Sequence, residues 1–313
     1  MSKHILRLCT FKGLQNLPLY VAQRQGFLDA QGLEVQISYT SGSKPQLAGL
    51  ARGEYDLVQT APDNVINFDT APAAFGIEPS TAPRIVMLLG GSVGTLSLFA
   101  QPEYKSIESL RGSILGVDNP GSGYALVLRD MLAHSGLLLN RDYTFRVAGG
   151  TSARLQALTS GECAATILYL PFDIQAAQQG MRRLATSTDF YLAYASLCTA
   201  ALADWVEAHQ EELLTYLIAI CDALRWIYEP SHAQALQETM QQEPELALTP
   251  EVVERVYAAF SDPASGFGRE ARLDMQALQQ VIDLRAQYSP SSVVFDRPEV
   301  YCDLRWYRRV FAG

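Results

Sequence analysis

The sequence has no long apolar run and few residues of the types that form disulfides or bind metals. No stretch reaches the roughly 18 apolar residues that a membrane span requires. The five cysteines are scattered and odd in number, without a C-x-x-C pair, and the four histidines are equally dispersed. We therefore expect no membrane span, no disulfide framework, no metal site and no cofactor.

Basic residues are also scarce. The chain has 24 Lys and Arg against 33 Asp and Glu, for a formal net charge of -9, and no basic cluster or helix-turn-helix segment. This argues against nucleic-acid binding and against a DNA-bound regulator. Nucleotide-binding, hydrolase, zinc-protease and EF-hand motifs are missing, and Gly121-Ser122-Gly123 has Leu126 where a dinucleotide motif needs its third glycine.

We also expect no signal peptide within the sequence as it stands. Residues 1–4 lead directly into a strand-like segment at residues 5–10, with no room for an apolar core and a cleavage site. We expect a periplasmic protein if an export signal has been removed, and a cytoplasmic one if Met1 is the native start.

The sequence does contain an internal repeat, at a spacing of about 105 residues. Residues 41–54 and 149–162 both read small-Gly-Ser/Thr, Leu-x-x-Leu and x-x-Gly-Glu before an apolar strand. An amphipathic helix that ends in Gly-Leu precedes each copy, at residues 20–33 and 124–137. Each half thus reads strand, helix, strand, helix, strand, which predicts an α/β protein with two lobes, each built on a mainly parallel sheet flanked by helices.

Within each repeated unit, the Ser/Thr is expected to cap a short helix and the glycine to end it. Ser43 and Gln46 fit a capping box. We expect lobe 1 to comprise residues 1–95 and 190–313, and an inserted lobe 2 to comprise residues 96–189. The crossing segments near residues 93–99 and 186–196 are the expected hinges, and helices are expected over residues 204–228, 250–260 and 269–288.

Four strand-to-helix corners with small hydroxylated residues, two in each lobe, form the candidate ligand site. In open parallel sheets, ligands bind beyond the carboxyl ends of strands, where helix N-termini offer free N–H groups to anions and carbonyl-like acceptors. One such corner is also typical of plain helix capping, but a duplicated arrangement favours a cleft between the lobes.

Aromatic and charged residues lie near the same corners. An aromatic ring is suited to sandwich a flat ligand, although each ring is equally typical of a core residue, and Lys12 is suited to pair with an anion. Asp56 begins a strand, which indicates a structural role. The predicted ligand-binding residues are Phe11, Lys12, Ser41, Gly42, Ser43, Thr60, Ala61, Asn64, Gly91, Ser92, Asn119, Ser122, Tyr124, Gly150, Thr151 and Tyr169.

The same segments resemble the solute-binding proteins of the nitrate, sulfonate, taurine and thiamine-pyrimidine transport group. The resemblance rests on residues 17–22 (LPLYVA), residues 32–35 (GLEV), the pattern L-x-x-L-x-x-G-E-x-D-L at residues 47–57, and residues 109–112 (SLRG). It covers roughly residues 5 to 230. It implies a two-lobed type II periplasmic-binding fold that closes on its ligand by a hinge motion, and an ABC-type importer permease as partner.

These observations predict capture of a small anionic or flat polar molecule, such as a sulfonate, a carboxylate or a pyrimidine-like compound, by a monomer. The sequence shows no paired acid and base and no nucleophile with a base, so no catalytic residue is assigned. The alternative is a cytoplasmic lyase or decarboxylase on the same fold, supported by charged residues near the corners. Those residues are Lys12, Lys44, Asp63 and Asp118.

Overall fold

The computed structural model of the chain describes residues 4–262 and 268–311. Within these ranges, ten strands form two five-stranded sheets. The strands are β1 (His4–Thr10), β2 (Leu33–Tyr39), β3 (Leu57–Thr60), β4 (Ile85–Gly91), β5 (Ser97–Ala100), β6 (Ile114–Val117), β7 (Thr144–Val147), β8 (Ala165–Leu168), β9 (Arg182–Thr186) and β10 (Leu197–Leu202). Sheet 1 has the order β2-β1-β3-β10-β4, and sheet 2 has the order β7-β6-β8-β5-β9.

Helices cover the faces of both sheets. They are α1 (Leu17–Arg24), α2 (Phe27–Ala30), α3 (Ser43–Ala51), α4 (Pro62–Thr70), α5 (Gly123–His134), α6 (Thr151–Thr159), α7 (Phe172–Gln178), α8 (Ala203–Ala208), α9 (Gln210–Ile227), α10 (Ala233–Gln242), α11 (Pro250–Ser261), α12 (Met275–Tyr288) and α13 (Arg305–Phe311). None of the helices in the described ranges combines the length and the apolar character that a membrane crossing needs.

The two sheets have the same topology, as the internal repeat predicts. The first half runs β1-α1-β2-α3-β3, with the short α2 before β2, and the second half runs β6-α5-β7-α6-β8. In each sheet the first strand of the unit is parallel to the other two. In sheet 1 the antiparallel strand β10 lies between β3 and β4, and in sheet 2 the antiparallel strand β5 lies between β8 and β9. All strands of a sheet but one therefore share a direction, which confirms two mainly parallel α/β sheets.

The chain crosses from sheet 1 to sheet 2 between Gly91 and Ser97, and it returns between Thr186 and Leu197. Both crossings overlap the segments that the sequence suggested as hinges. The limits of the two lobes at residues 95/96 and 189/190 stay a prediction. Helix α12 follows the second crossing, yet it contacts both α4 of the first half and α5 of the second.

Separate hydrophobic cores hold the helices on the two sheets. The leucine pairs of the repeated unit, Leu47 with Leu50 and Leu155 with Leu158, are buried under α3 and α6. Each buried leucine contributes about 1.5–3 kcal/mol relative to an exposed one. The largest cluster lies on the other face of sheet 1, where residues of α1, α9 and α11 pack together. The repeated Leu-x-x-Leu pattern thus fixes which face of each short helix meets the sheet.

Gly53 occupies the same place after α3 as Gly161 does after α6, and both have left-handed backbone, with φ of 72° and 80°. We expect Gly53→Ala to destabilise the protein by about 1–2 kcal/mol, because a side chain is disfavoured in this conformation. A Cβ at Gly53 would meet no atom within 4 Å, so the loss measured by urea unfolding would report backbone strain alone.

Gly121→Ala is the matched control, because this glycine lies outside the left-handed region and its Cβ would make only an ordinary contact, 3.6 Å from the Asn119 Oδ1. Equal unfolding free energies for the two variants would contradict the assignment of Gly53 as an obligatory helix-ending residue.

Several local predictions are wrong. Ser43 is the first residue of α3 rather than its cap. The cap position is occupied by Gly42, which has no side chain that could accept a hydrogen bond from the helix. The Gln46 amide is buried and donates to the carbonyls of Cys9 and Gln59, so it forms no capping box. The helix expected over residues 204–228 is interrupted at His209, and the one expected from residue 269 begins at Met275.

Candidate functional site

A small cavity lies between the two halves of the molecule and takes its walls from both. Its volume is about 50 Å³, which is less than two molecules of liquid water occupy at about 30 Å³ each. The first-half wall consists of Phe11, Gln15, Ser43, Thr60, Ala61 and Asn64, and the second-half wall of Asp118, Ser122, Gly123, Tyr124, Gly150, Thr151, Arg154 and Tyr169. Val93 and Leu197, from the two crossing regions, complete it.

Four helices begin at this cavity, which is the arrangement that the four corners predict. The helices are α3, α4, α5 and α6, and residues at or just before the first turn of each lie in the cavity wall. The first N–H groups of a helix have no partner within it, and the N-terminus carries roughly half a positive charge. The convergence of four such ends favours a ligand with negative charge or several acceptor atoms.

Hydrogen bonds fix the first-half wall. The Asn64 amide donates to the Thr60 hydroxyl at 2.8 Å, across the turn from β3 into α4. The carbonyl of Phe11, just after β1, accepts from the Gln15 and Asn16 amides, both at 2.8 Å. Because these groups are held by internal bonds, the wall has a defined shape before a ligand arrives.

Arg154 is the cation of the second-half wall, and only 3% of it is exposed. Its guanidinium donates to the Thr151 hydroxyl at 3.0 Å and to the carbonyls of Gly149 and Ile167 at 3.3 Å. The Asp118 carboxylate lies 3.7 Å from the guanidinium and accepts from the Ser122 hydroxyl at 2.6 Å. The wall therefore holds one cation and one anion, both with fixed partners.

Two tyrosines supply the aromatic part of the cavity. The rings of Tyr124 and Tyr169 meet edge to face, with centroids 5.8 Å apart. Tyr124 donates its hydroxyl proton to the Ser196 carbonyl at 2.8 Å. Burial raises the pKa of both tyrosines, and for Tyr169 the Thr151 hydroxyl and the Arg154 charge act in the opposite direction. Both tyrosines stay neutral at physiological pH, and their rings supply apolar surface to the cavity.

The cavity brings together most of the residues that the sequence suggested. These are Phe11, Ser43, Thr60, Ala61, Asn64, Ser122, Tyr124, Gly150, Thr151 and Tyr169. Ser43 and Thr151 line opposite walls, one from each copy of the repeat. That these residues contact a ligand stays a prediction.

The other suggested residues do not line this cavity. Gly91 and Ser92 line a neighbouring, mostly apolar cavity of about 60 Å³ that shares Gln15 and Leu197 with it. Ser41, Gly42 and Asn119 precede the helix starts without reaching the cavity wall, and Lys12 is exposed. The Lys12 ammonium lies 2.7 Å from the Glu245 carboxylate, so its charge already has a partner.

The charged residues that suggested a lyase are not assembled into a catalytic group. Lys12 binds Glu245, Lys44 is exposed, and Asp63 forms a buried ion pair with Arg285. Of the four, only Asp118 lines the cavity. Asp56 has the structural role expected for it, because it accepts from the backbone and the guanidinium of Arg7.

Arg154 is the most informative residue that sequence reasoning missed, and the repeat contains the signal for it. Arg154 stands 108 positions after Gln46, and Ile167 stands 108 positions after Gln59. The bond from Arg154 to the Ile167 carbonyl is thus the counterpart of the bond from Gln46 to the Gln59 carbonyl. In both halves a buried polar side chain ties the short helix to the neighbouring strand, but only the second half uses a cation.

Comparisons with known proteins agree with this architecture. The model of the NMT1-like family matches residues 2–241, whereas no curated protein sequence matches the chain. A protein from Bordetella bronchiseptica RB50 superposes with a TM-score of 0.79 at 20% identity, over 99% of this chain and 98% of that one.

Two solved structures of proteins that are named for what they bind have the same fold. The periplasmic nitrate-binding protein NrtA from Synechocystis PCC 6803 gives a TM-score of 0.78 at 14% identity, over 93% of this chain and 83% of its own. The alkanesulfonate-binding protein SsuA from Xanthomonas axonopodis pv. citri, bound to MOPS, gives 0.70 at 18% identity, over 92% and 91% of the two chains. At these identities, the likeness shows the two-lobed periplasmic-binding fold.

Proposed function

Since the chain belongs to the NMT1-like family, we propose that it is a solute-binding protein that captures a small anionic or flat polar molecule in the cavity between its lobes. The observation that carries the proposal is the convergence of four helix N-termini and the buried Arg154 guanidinium on one cavity. Among the described residues that line the cavity, Asp118 supplies the single carboxylate. An electron-rich ligand is therefore favoured on electrostatic grounds.

Two further features support capture. The walls come from both lobes, so a ligand that touches both stabilises the closed arrangement by its differential contacts. Solved structures of the same fold include proteins described as nitrate-binding and alkanesulfonate-binding. By the same likeness we propose an ABC-type permease as the partner that receives the ligand.

Isothermal titration calorimetry tests the proposal with nitrate, propane-1-sulfonate, benzoate and 4-amino-2-methylpyrimidine as probes. We expect saturable binding of at least one probe with one site per chain, and the probe should be recovered unchanged after incubation. A probe that is consumed by the pure protein would contradict capture without chemistry and would favour the lyase interpretation.

Thr151→Val tests the cavity wall. The change keeps the shape of the side chain and removes the hydroxyl that links Arg154 to the cavity. We expect the affinity for the bound probe to fall about 2- to 12-fold, the range for one neutral hydrogen bond. The control is Ser152→Ala, one residue further along α6 and exposed. An equal fall in affinity for both variants would remove Thr151 from the site.

A further inference from the structure

Helix α12 belongs to the cores of both lobes. Leu278 and Val281, in its first half, pack in the cluster around α3, α4 and sheet 1. Leu284, one turn before its end, is buried in the cluster of sheet 2 and α5, and Tyr288 packs against the same cluster. The helix therefore bridges the lobes away from the ligand cavity.

Arg285 makes the central contact of this bridge, and only 6% of it is exposed. Its guanidinium binds both carboxylate oxygens of Asp63 on α4, at 2.5 and 2.6 Å, and the amide oxygen of Asn67 at 3.0 Å. It also donates to the carbonyl of Gly121 at 2.8 Å. One buried side chain thus joins α4 of the first lobe to a loop of the second.

That loop is part of the ligand cavity. Gly121 lies between Asp118 and Ser122, which both line the cavity. Gly123, which follows Ser122, lies very close to Asp63 of the first lobe. A Cβ added at Gly123 would lie 2.7 Å from the Asp63 Cβ. The lobes are in direct contact here, and a glycine is needed for that approach.

The end of α12 makes a second set of interlobe bonds. Asp130 on α5 is 3% exposed. It accepts from the Gln287 amide and the Tyr288 hydroxyl, both at 2.9 Å, and from the Tyr191 hydroxyl in the second crossing segment at 2.7 Å. The Arg129 guanidinium also lies over the Tyr288 ring, 4.2 Å from its centroid.

From these contacts we propose that α12 is a latch that holds the two lobes closed, and that Arg285 is a positioning residue for the ligand-binding loop of residues 118–122. The latch uses contacts outside the cavity, so it acts with or without a ligand. Release of the latch shifts the population toward open forms. If nine-tenths of the molecules become open, the apparent affinity for a ligand falls about tenfold.

Small-angle X-ray scattering of the full chain without ligand tests the latch. We expect Arg285→Ala and the double variant Gln287→Ala/Tyr288→Phe to have a larger radius of gyration than the wild type. Saturating propane-1-sulfonate should restore the wild-type value, with about tenfold weaker affinity in calorimetry. The double variant keeps the Arg285–Asp63 pair, so it tests the latch even if Arg285→Ala does not fold.

Arg7→Ala is the matched control, because it breaks an arginine–aspartate pair within sheet 1, that of Arg7 with Asp56. Its radius of gyration and affinity should equal those of the wild type. A wild-type radius of gyration in the folded double variant would overturn the proposal. If the wild type binds no probe, the ligand-free radii still decide whether the latch exists, and only the proposed function fails.

Discussion

Replacing Arg154 with methionine is expected to weaken binding of an anionic ligand by roughly 10- to 100-fold, the largest loss of affinity from any single change in the cavity wall. The guanidinium donates to protein partners, so it acts on an anion through its charge. Two unit charges about 7 Å apart attract by about 2 kcal/mol at an effective dielectric constant of about 20, which lies within this range. Arg154 is the only cation that lines the cavity among the described residues, and methionine keeps the length of the side chain. Calorimetric titration of the variant with the anionic probe that binds the wild type measures the effect.

The repeat provides a control for Arg154→Met inside the same protein. Gln46 stands at the equivalent position of the first half and ties α3 to sheet 1 by the same kind of bond. Gln46→Met therefore removes the structural tie without removing a charge. We expect both variants to lose about 1–3 kcal/mol of stability, because each leaves buried carbonyls without donors. Only the Arg154 variant should lose most of its affinity, and equal affinities would contradict an electrostatic role for Arg154.

The second large effect concerns stability. We expect Asp63→Ala to lower the free energy of unfolding by about 3–5 kcal/mol, because it leaves the Arg285 guanidinium buried without its carboxylate partner. The side chains of Asp63 and Arg285 are only 2% and 8% exposed. Urea unfolding, with the midpoint and slope compared between variant and wild type, measures the loss.

Two comparisons separate this effect from a general loss of packing. The double variant Asp63→Leu/Arg285→Met removes both charges, so it should recover much of the stability that Asp63→Ala loses. Arg146→Ala breaks the exposed pair of Arg146 with Glu162, whose side chains are half exposed. It should cost less than about 1 kcal/mol. A loss of that small size for Asp63→Ala would contradict the interpretation of the Asp63–Arg285 pair as a buried ion pair.

The fold could be predicted from the sequence because its signals are local and occur twice. The Leu-x-x-Leu pattern and the helix-ending Gly53 and Gly161 depend on a few neighbouring residues, and two copies in the same order imply two equivalent sheets. The carboxyl ends of parallel strands meet at one edge, so the sequence pattern places residues such as Ser43 and Thr151 at a shared cleft.

The predictions that failed depend on contacts between distant parts of the chain. Glu245, which pairs with Lys12, follows far along the sequence, and so does Arg285, which pairs with Asp63. A local pattern shows that a charge is present near a corner but does not show which charge faces it. Arg154 was missed for a related reason, because an arginine within a short helix is typically a surface residue.

A crystal structure grown with the tightest-binding probe tests most directly the central claim, that one cavity between the lobes binds the ligand. Binding as proposed predicts density for one ligand that contacts the N-termini of α3 or α4 on one side and of α5 or α6 on the other, with Arg154 beneath Thr151. Density confined to one lobe, or located outside this cavity while the cavity stays empty, would contradict the claim.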